Sequence, residues 1–392
     1  MKKFACWILL IIFIYVSVEV VLYAGLYLLV TVRQEEIYRP FDMLSANQKK
    51  ITKNLFIKKH NYSCFDATLG WSVKANGFSK LYQANSCAIR SNREYATTPP
   101  EGIFRISAFG DSFTQCADVN NNETWQVFME SCDTNLEVLN FGVGGFGLDQ
   151  AYLRYLKDGV HYQSDIVLIG YMSENISRNV NTYRPFYRRN GGVPFTKPRF
   201  QVDGGSLSLL PNPMKKLDDY QELLLHPRET LSKLGNNDYF YKKGYTSKKL
   251  DWLPTVKLAT MLMHYCREKL SADRIMIHDG YNEKSEAFEV TKKIFDEFYK
   301  SSTTNNSLPI ILIFPNGRDI KRYRKEGQTR YDILPEYLDS AGYRYLDLMG
   351  AFNGVAIEKL FEGHYHYSPL ANKLAAQYIL NYINTIRSRN NL

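Results

Sequence analysis

The segment "IFRISAFGDSFTQC" (103–116) places a short apolar run directly before a glycine, an aspartate and a serine. Glycine permits a sharp turn, and Asp111 or Ser112 can cap a following helix by accepting a backbone N–H. The same arrangement can also hold the Ser112 hydroxyl at the edge of a parallel sheet, where α/β proteins bind ligands. The stretch therefore has two interpretations, a helix cap or a nucleophile, and the rest of the sequence must decide between them.

After residue 103 the chain alternates short apolar runs with helical patterns. Four more runs of the strand type lie at 136–143, 165–172, 308–315 and 343–349. Helical patterns lie at 123–131, 148–160, 252–270, 286–301 and 368–386. This alternation predicts right-handed βαβ units. We expect an α/β fold over 103–392, a flavodoxin-like three-layer α/β/α sandwich with a mostly parallel sheet. A Tyr-, Pro- and Gly-rich insertion interrupts it at about 180–250.

The first 33 residues have a different composition. Lys2 and Lys3 precede an apolar run of 29 residues, from Phe4 to Val32, whereas about 20 helical residues span a bilayer core. The run is too long for the apolar part of a cleaved signal peptide, so 1–33 is predicted to be a signal anchor, a single transmembrane helix. The lysines before it, and "RQEE" after it, favour a cytoplasmic N-terminus and an extracytoplasmic bulk domain.

Residues 34–102 connect this anchor to the α/β region. The polar, Lys-rich stretch 34–60 is predicted to form a stalk or helix that lifts the domain off the membrane. Turn residues are frequent in 61–101, which is typical of short β-strands and loops, and Pro99-Pro100 closes this segment. We expect a small β-rich accessory region packed against the main domain.

Charge and cysteine usage restrict the partners. The formal net charge is +9, and outside the cytoplasm acidic glycans or anionic lipid headgroups are better partners for it than nucleic acid. The sequence has no CxxC and no Cys/His cluster with zinc spacing, so neither a metal nor a cofactor is expected. An oxidising compartment would permit a Cys64–Cys87 bridge. Glu19, inside the apolar run, predicts either a membrane-protein partner or a tolerated protonated carboxyl.

Polar residues and glycines follow the ends of the predicted strands. The carboxyl ends of parallel strands gather at one edge of a sheet. That edge would receive Ser112, the glycines of "NFGVGGFG" (140–147), the amides of "MSENISRN" (172–179) and the histidines of "FEGHYHYSPLAN" (361–372). A serine and an imidazole can act as nucleophile and base, and backbone N–H groups or an amide can stabilise an oxyanion.

These four blocks, in this order, resemble the SGNH hydrolases, also called the GDSL esterase and lipase superfamily, over about 103–385. The resemblance implies that Ser112 is the nucleophile and that its own N–H is one oxyanion donor. It implies Gly145 as a second donor, with Gly144 as a one-residue alternative. The third block departs from the family's Gly-x-Asn-Asp. Asn175 is the nearest amide, Asn179 is a weaker alternative, and a capping role for Asn175 stays open.

In the fourth block the family's register selects His366 as the base. Ser368 and Pro369 would then be the N-cap and first residue of the last helix. The family's aspartate three residues before the histidine is replaced here by Gly363. Glu362 is the predicted orienting acid, unless a backbone carbonyl takes that place and the site works as a Ser–His dyad.

The resemblance implies a serine esterase or acyltransferase. Its membrane-anchored relatives imply, as a substrate, O-acyl and most often O-acetyl esters of an extracytoplasmic glycan. The altered third block and the missing aspartate keep a second hypothesis open. In that hypothesis the chain is a catalytically inactive SGNH-like module, anchored in the membrane, that binds a glycan or a partner protein.

Overall fold

The computed structural model describes residues 2–33, 37–57, 61–363 and 365–390. Its α-helices are α1 Lys2–Arg33, α2 Ala46–Ile57, α3 Ser112–Gln115, α4 Trp125–Glu130, α5 Leu148–Arg154, α6 Asn175–Arg178, α7 Arg184–Tyr187, α8 Gln221–Leu225, α9 Pro227–Gly235, α10 Tyr239–Lys243, α11 Pro254–Leu270, α12 Glu286–Thr304, α13 Gly317–Glu326, α14 Ile333–Ser340, α15 Ile357–Leu360 and α16 Pro369–Asn390. Its β-strands are β1 Ser63–Asp66, β2 Gly70–Val73, β3 Phe104–Phe109, β4 Leu136–Asn140, β5 Ile166–Met172, β6 Arg199–Asp203, β7 Ser206–Leu210, β8 Met276–Ile277, β9 Gly280–Tyr281, β10 Leu308–Phe314, β11 Tyr345–Asp347, β12 Phe361–Glu362 and β13 His366–Tyr367. Most of the acidic flank of the anchor (34–36) and His364 lie outside the described residues.

Five strands form one sheet in the order β11-β10-β5-β3-β4, and every neighbouring pair is parallel. This is the flavodoxin-like order, and it confirms the predicted α/β fold. Each of the five predicted apolar runs contains one of these strands. The chain order reverses between β3 and β5, so the topological switch point lies at the carboxyl end of β3. Ser112 follows three residues after that end.

Alternate side chains of the strands enter two separate hydrophobic cores, because successive residues of a strand point to opposite faces. In β10, for example, Ile311 belongs to one core and Ile310 to the other. Helices α5 and α12 cover the first face, and α4 and α16 cover the second. The sheet is therefore the middle layer of a three-layer α/β/α sandwich, as the sequence predicts.

Residues 37–57 differ from the predicted spacer, because they pack onto the α/β domain. The hydroxyl of Tyr38 donates to the carboxylate of Asp251 at 2.7 Å. Leu44 and Leu55 are buried in the first core. The Lys-rich composition of this segment predicts that it is solvated. The few apolar residues that pack it onto the domain are too sparse to change that prediction.

The accessory region contains the antiparallel hairpin β1–β2. Cys64 and Cys87 line one cavity of about 490 Å³, but both thiols are free and no bridge joins them. The insertion after the third strand of the sheet contains the hairpin β6–β7 and the short helices α7 to α10. The domain boundaries proposed from the sequence stay predictions.

Helix α1 is, within the described residues, the one helix that is long and apolar enough to cross a membrane. Its apolar stretch, Lys3–Val32, is not buried against the rest of the chain. Glu19 accepts hydrogen bonds from the hydroxyl of Thr255 and, at 3.2 Å, from its backbone N–H. The sequence left open a second protein as the partner of Glu19, whereas in this structure its partner is helix α11 of the same chain.

Candidate active site

Ser112 begins α3 directly after the switch point. Asp111 is the N-cap of this short helix and accepts the backbone N–H of Phe113 at 2.9 Å. Ser112 is 8% exposed, and its hydroxyl has no hydrogen-bond partner among the described residues. Asp111 therefore provides the helix cap, and the unpaired hydroxyl of Ser112 is compatible with the nucleophile interpretation.

The candidate oxyanion donors are backbone N–H groups of Ser112 after β3 and of the glycines in the loop after β4. The backbone N–H groups of Ser112, Gly144 and Gly145 have no acceptor within the described part of the chain. Gly145 has φ +81°, in the left-handed region that favours glycine. The carbonyl of Gly144 instead accepts the indole N–H of Trp71 at 3.0 Å. Gly145 and Ser112 are the pair that the sequence preferred, and this geometry is compatible with that choice.

Asn175 is the first residue of α6, and its side-chain amide, predicted as an oxyanion donor, is hydrogen-bonded within the chain. Its Nδ2 donates to the carboxylate of Asp111 at 3.1 Å and to the carbonyl of Phe146 at 3.3 Å. Its Oδ1 accepts the backbone N–H of Met172 at 2.8 Å. Because both amide hydrogens are engaged, Asn175 braces the loops around Ser112. The alternative Asn179 accepts the backbone N–H of Leu148 at 3.0 Å and donates through Nδ2 to the hydroxyl of Thr291 at 2.8 Å.

Arg178 joins the loops that follow β3, β4 and β5. Its guanidinium donates to Asp111 at 3.0 Å, to the carbonyl of Phe146 at 2.8 Å and to Glu174 at 3.1 Å. Burial acts to raise the pKa of Glu174, but Arg178 and the hydroxyl of Tyr187 outweigh it and hold this pKa at about 2. The ion pairs therefore persist at neutral pH and fix the loop before the candidate nucleophile.

His366 has an acidic partner that the sequence interpretation missed. Its Nδ1 lies 2.6 Å from the carboxylate of Asp118. Glu362, the predicted acid, pairs with His366 across the hairpin β12–β13 through the backbone, and it is exposed. No described hydrogen bond joins its carboxylate to the imidazole. The acidic partner therefore comes from the loop after Ser112 and not from the loop before His366.

Packing brings α3 and β13 together. The ring of Phe113 lies 5.7 Å from the ring of His366 and 4.9 Å from that of Tyr367, measured between centroids. The hydroxyl of Tyr367 donates to the carbonyl of Pro315 at 2.8 Å, which fixes β13 against the end of β10. Ser112 and His366, the two residues that the sequence selected most clearly, thus lie on neighbouring elements at the carboxyl edge of the sheet.

The accessory region positions the acid. Arg90 is buried, and its guanidinium donates to the carbonyls of Cys116 and Val119 at 2.6 Å each. Its Nε donates to the side chain of Asn121 at 3.0 Å. These acceptors lie on both sides of Asp118, so Arg90 fixes the loop that carries this carboxylate. The one signal in the sequence was the position of Asp118, six residues after Ser112. An acidic residue at that spacing is equally common in an ordinary surface loop.

Trp71 of β2 and Val193 of the insertion form the wall beside Gly145. A Cβ placed on Gly145 would lie 3.6 Å from each of these side chains. Together with the indole hydrogen bond to Gly144, this packing shows that the accessory hairpin and the insertion both contribute to the surroundings of the site.

No family model and no curated protein matches the sequence. Solved structures that resemble this chain include a member of the lipolytic protein G-D-S-L family from Veillonella parvula, at 12% identity over 71% of this chain and 97% of that chain, with a TM-score of 0.34. A GDSL-like lipase from Bacteroides thetaiotaomicron is 11% identical over 74% of this chain and 93% of its own, with a TM-score of 0.37. An acetyl xylan esterase is 12% identical over 71% of this chain and 100% of its own, with a TM-score of 0.35. Likenesses at these TM-scores do not assign a function, which has to be inferred from the geometry of the site.

A further carboxylate, the half-buried Asp347, ends β11 at the same edge of the sheet. It accepts the N–H of Met349 at 2.8 Å and the hydroxyl of Tyr331 at 3.1 Å, and burial raises its pKa to about 6. An aspartate that binds its proton more tightly when folded contributes less stability as the pH rises from about 4, its unfolded pKa, towards the folded value. Folding is therefore disfavoured by the ionised Asp347 at neutral pH.

Asp347→Asn is accordingly expected to raise the stability at pH 7.5 by up to about 3 kcal/mol and to leave it unchanged at pH 4. The amide keeps the acceptor for Tyr331 and removes the charge. Thermal unfolding of the full chain in detergent micelles at both pH values measures this difference. Asp203→Asn, at the exposed last residue of β6, is the control. An equal change of Tm at the two pH values would contradict the prediction.

Proposed function

We propose that this protein is a serine ester hydrolase or acyltransferase of the SGNH type, with Ser112 as nucleophile and His366 as base. The observation that carries the proposal is the 2.6 Å contact between Asp118 and Nδ1 of His366, on the element that packs beside α3. A carboxylate at Nδ1 selects the tautomer in which Nε2 carries no proton. Nε2 is then the atom that accepts the proton of Ser112.

In the proposed reaction the Ser112 oxygen attacks the carbonyl carbon of an ester while His366 removes the hydroxyl proton. The C–O bond to the alcohol breaks, and the imidazolium returns the proton to the departing alcohol. The acyl-enzyme then passes its acyl group to water in an esterase, or to a sugar hydroxyl in an acyltransferase. Asp118 stabilises the imidazolium that forms in each half of the reaction.

The proposed oxyanion donors are the backbone N–H groups of Ser112 and Gly145. One such donor contributes about 3–4 kcal/mol to the transition state. The Asn175 amide is already hydrogen-bonded to Asp111 and Phe146, so the proposal uses the two backbone donors alone. Arg178 keeps them in place through its hydrogen bonds to Asp111 and to the carbonyl of Phe146.

For the substrate we propose short O-acyl esters, above all O-acetyl groups, on an extracytoplasmic glycan. Ser112 is only 8% exposed, and Trp71 and Val193 close the side near Gly145, which favours a small acyl group over a long chain. The excess of basic residues suits a substrate that carries acidic sugars.

The proposed location follows from α1. This helix would cross the membrane once, with Lys2 and Lys3 on the cytoplasmic side and the α/β domain outside. Its contact with α11 through Glu19 and Thr255 supports a helix that remains part of the mature protein.

A second candidate function is an inactive module that binds a glycan or a partner. The engagement of the Asn175 amide with Asp111 favours it, because that amide is not available to an oxyanion.

Labelling of the full chain in detergent micelles with a fluorophosphonate probe tests the two against each other. We expect an adduct on Ser112 that is lost in Ser112→Ala and in His366→Ala and retained in the exposed control Ser131→Ala. We also expect faster hydrolysis of p-nitrophenyl acetate than of the decanoate. A folded chain with neither adduct nor turnover above the Ser112→Ala background would sink the hydrolase proposal in favour of the binding module.

A further inference from the structure

Helix α11 has an exposed apolar face that no described part of the chain covers. Apart from α1, the largest group of strongly exposed, large hydrophobic side chains within one element lies in and just before this helix. They are Trp252, Leu262, Met263, Tyr265 and Leu270, with exposed fractions of 71%, 63%, 59%, 57% and 85%. Exposed apolar clusters of this kind mark contact sites for proteins or membranes.

The opposite face of α11 is docked on the domain. Pro254 and Thr260 are buried, and the ring of His264 lies 5.3 Å from that of Tyr245. Lys257 lies over the ring of Tyr38 at 5.7 Å. The helix is therefore held with its apolar face outward, and that orientation is fixed by packing on the domain side.

Contact with α1 sets the level of α11 relative to a membrane. Glu19 of α1 binds both the backbone N–H and the hydroxyl of Thr255, in the first turn of α11. α1 has 32 residues and is about 48 Å long, whereas the hydrocarbon core of a bilayer is about 30 Å thick. A bilayer that begins at the N-terminal end of α1 would thus end just after Glu19, at the level of α11.

The surroundings of this level have the composition of a membrane–water boundary. A cavity of about 510 Å³ between α1 and the domain is lined by Tyr23, Tyr27, Tyr38, Lys248 and Lys257, among others. Tyrosine, tryptophan and lysine side chains are the residues that favour the headgroup region. Arg267 and Lys269 are exposed beside the apolar face of α11, where they suit anionic headgroups.

We propose that α11 is an interfacial membrane helix that lies in the outer boundary of the bilayer, with Trp252, Met263 and Leu270 in the lipid. The occupant of the apolar face is the lipid itself, because α11 contacts α1 through Thr255 at the level where the bilayer would end. The proposal rests on the proposed membrane insertion of α1. Its consequence is a domain seated directly on the membrane by two helices.

Tryptophan fluorescence tests the membrane insertion of α1 and the interfacial placement of α11 separately. The chain has four tryptophans, of which Trp71 and Trp125 are buried in the domain and Trp7 lies in α1. Trp7→Phe leaves Trp252 as the exposed reporter of α11, and Trp252→Phe leaves Trp7 as the reporter of α1. Both full-length variants are reconstituted into vesicles of phosphatidylcholine and phosphatidylglycerol, with and without bromine on the acyl chains near the headgroup.

We expect brominated lipid to reduce the fluorescence of both variants, and the vesicles to protect Trp252 from aqueous iodide. Quenching of Trp7 without quenching of Trp252 would overturn the placement of α11 and leave the anchor intact. If Trp252 is then also shielded from iodide, a protein covers the face instead. The absence of Trp7 quenching would overturn the anchor proposal, and the placement of α11 with it.

Discussion

Asp118→Asn is expected to lower kcat for ester hydrolysis by about 10³–10⁴-fold with little change in KM. The carboxylate contacts Nδ1 of His366 at 2.6 Å and can only accept a hydrogen bond when ionised. An amide in its place would donate through its NH₂ group and stabilise the tautomer that carries the proton on Nε2. His366 would then be unable to take the proton of Ser112, so the same substitution should also slow fluorophosphonate labelling.

Glu362→Gln is the matched control for this prediction, because Glu362 is the carboxylate that the spacing to the histidine favours. We expect it to keep kcat within about two-fold, on the scale by which surface changes away from a site alter a protein. Thermal unfolding should be similar in both variants, since the side chain of Asp118 is 42% exposed. A loss of activity in Glu362→Gln together with a normal Asp118→Asn would show that the acid comes from the hairpin after all.

Arg178→Met is expected to lower the free energy of unfolding by about 3–5 kcal/mol, the range for breaking one side of a buried ion pair. Arg178 is 5% exposed at its side chain and Asp111 is 4% exposed. Methionine has a similar length but leaves the buried carboxylate of Asp111 without its cation, and it removes one of the cations that act on the partly exposed Glu174. The loops after β3, β4 and β5 would lose their common link, so catalysis should decline together with stability.

Two variants make this prediction specific to the buried pair. Arg188→Met removes an exposed cation at the C-terminal end of the neighbouring helix α7 and should cost less than about 1 kcal/mol. Asp111→Asn combined with Arg178→Met removes the unpaired charge at Asp111 and should recover part of the lost stability. Chemical denaturation of the full chain in micelles measures all three. Equal losses in Arg178→Met and Arg188→Met would rule out the buried pair as the cause.

The sequence predicts the fold because the strands are buried on both faces. Runs such as 165–172 and 308–315 are apolar throughout, and in the structure their side chains enter the two cores alternately. The position of Ser112 also follows from local information, since a glycine and a capping acid after a buried strand specify a strand-to-helix turn. The order of the strands then decides which loops meet at the sheet edge.

The acid and the supporting contacts could not be predicted in this way. Asp118 reaches His366 across 248 positions in the sequence, and nothing local to either residue indicates the pairing. The same holds for Arg90, whose acceptors are 25 or more residues away. The prediction for Asn175 rested on the family pattern, while its actual partners, Asp111 and Phe146, depend on the geometry of three loops.

The contact of Asp118 with His366 has a consequence for how the site is assembled. Ser112 and Asp118 belong to one short segment, and the hydrogen bonds of Asp111 and Arg90 fix its internal geometry. The relative position of these two residues is therefore set within the segment itself. In the proposed mechanism, alignment of the site then depends on one other element, the hairpin β12–β13, which contacts helix α16. The stretch between Glu362 and His366 then does not have to provide the acid. We expect its length and composition to tolerate change, provided that the contact between Tyr367 and Phe113 is kept.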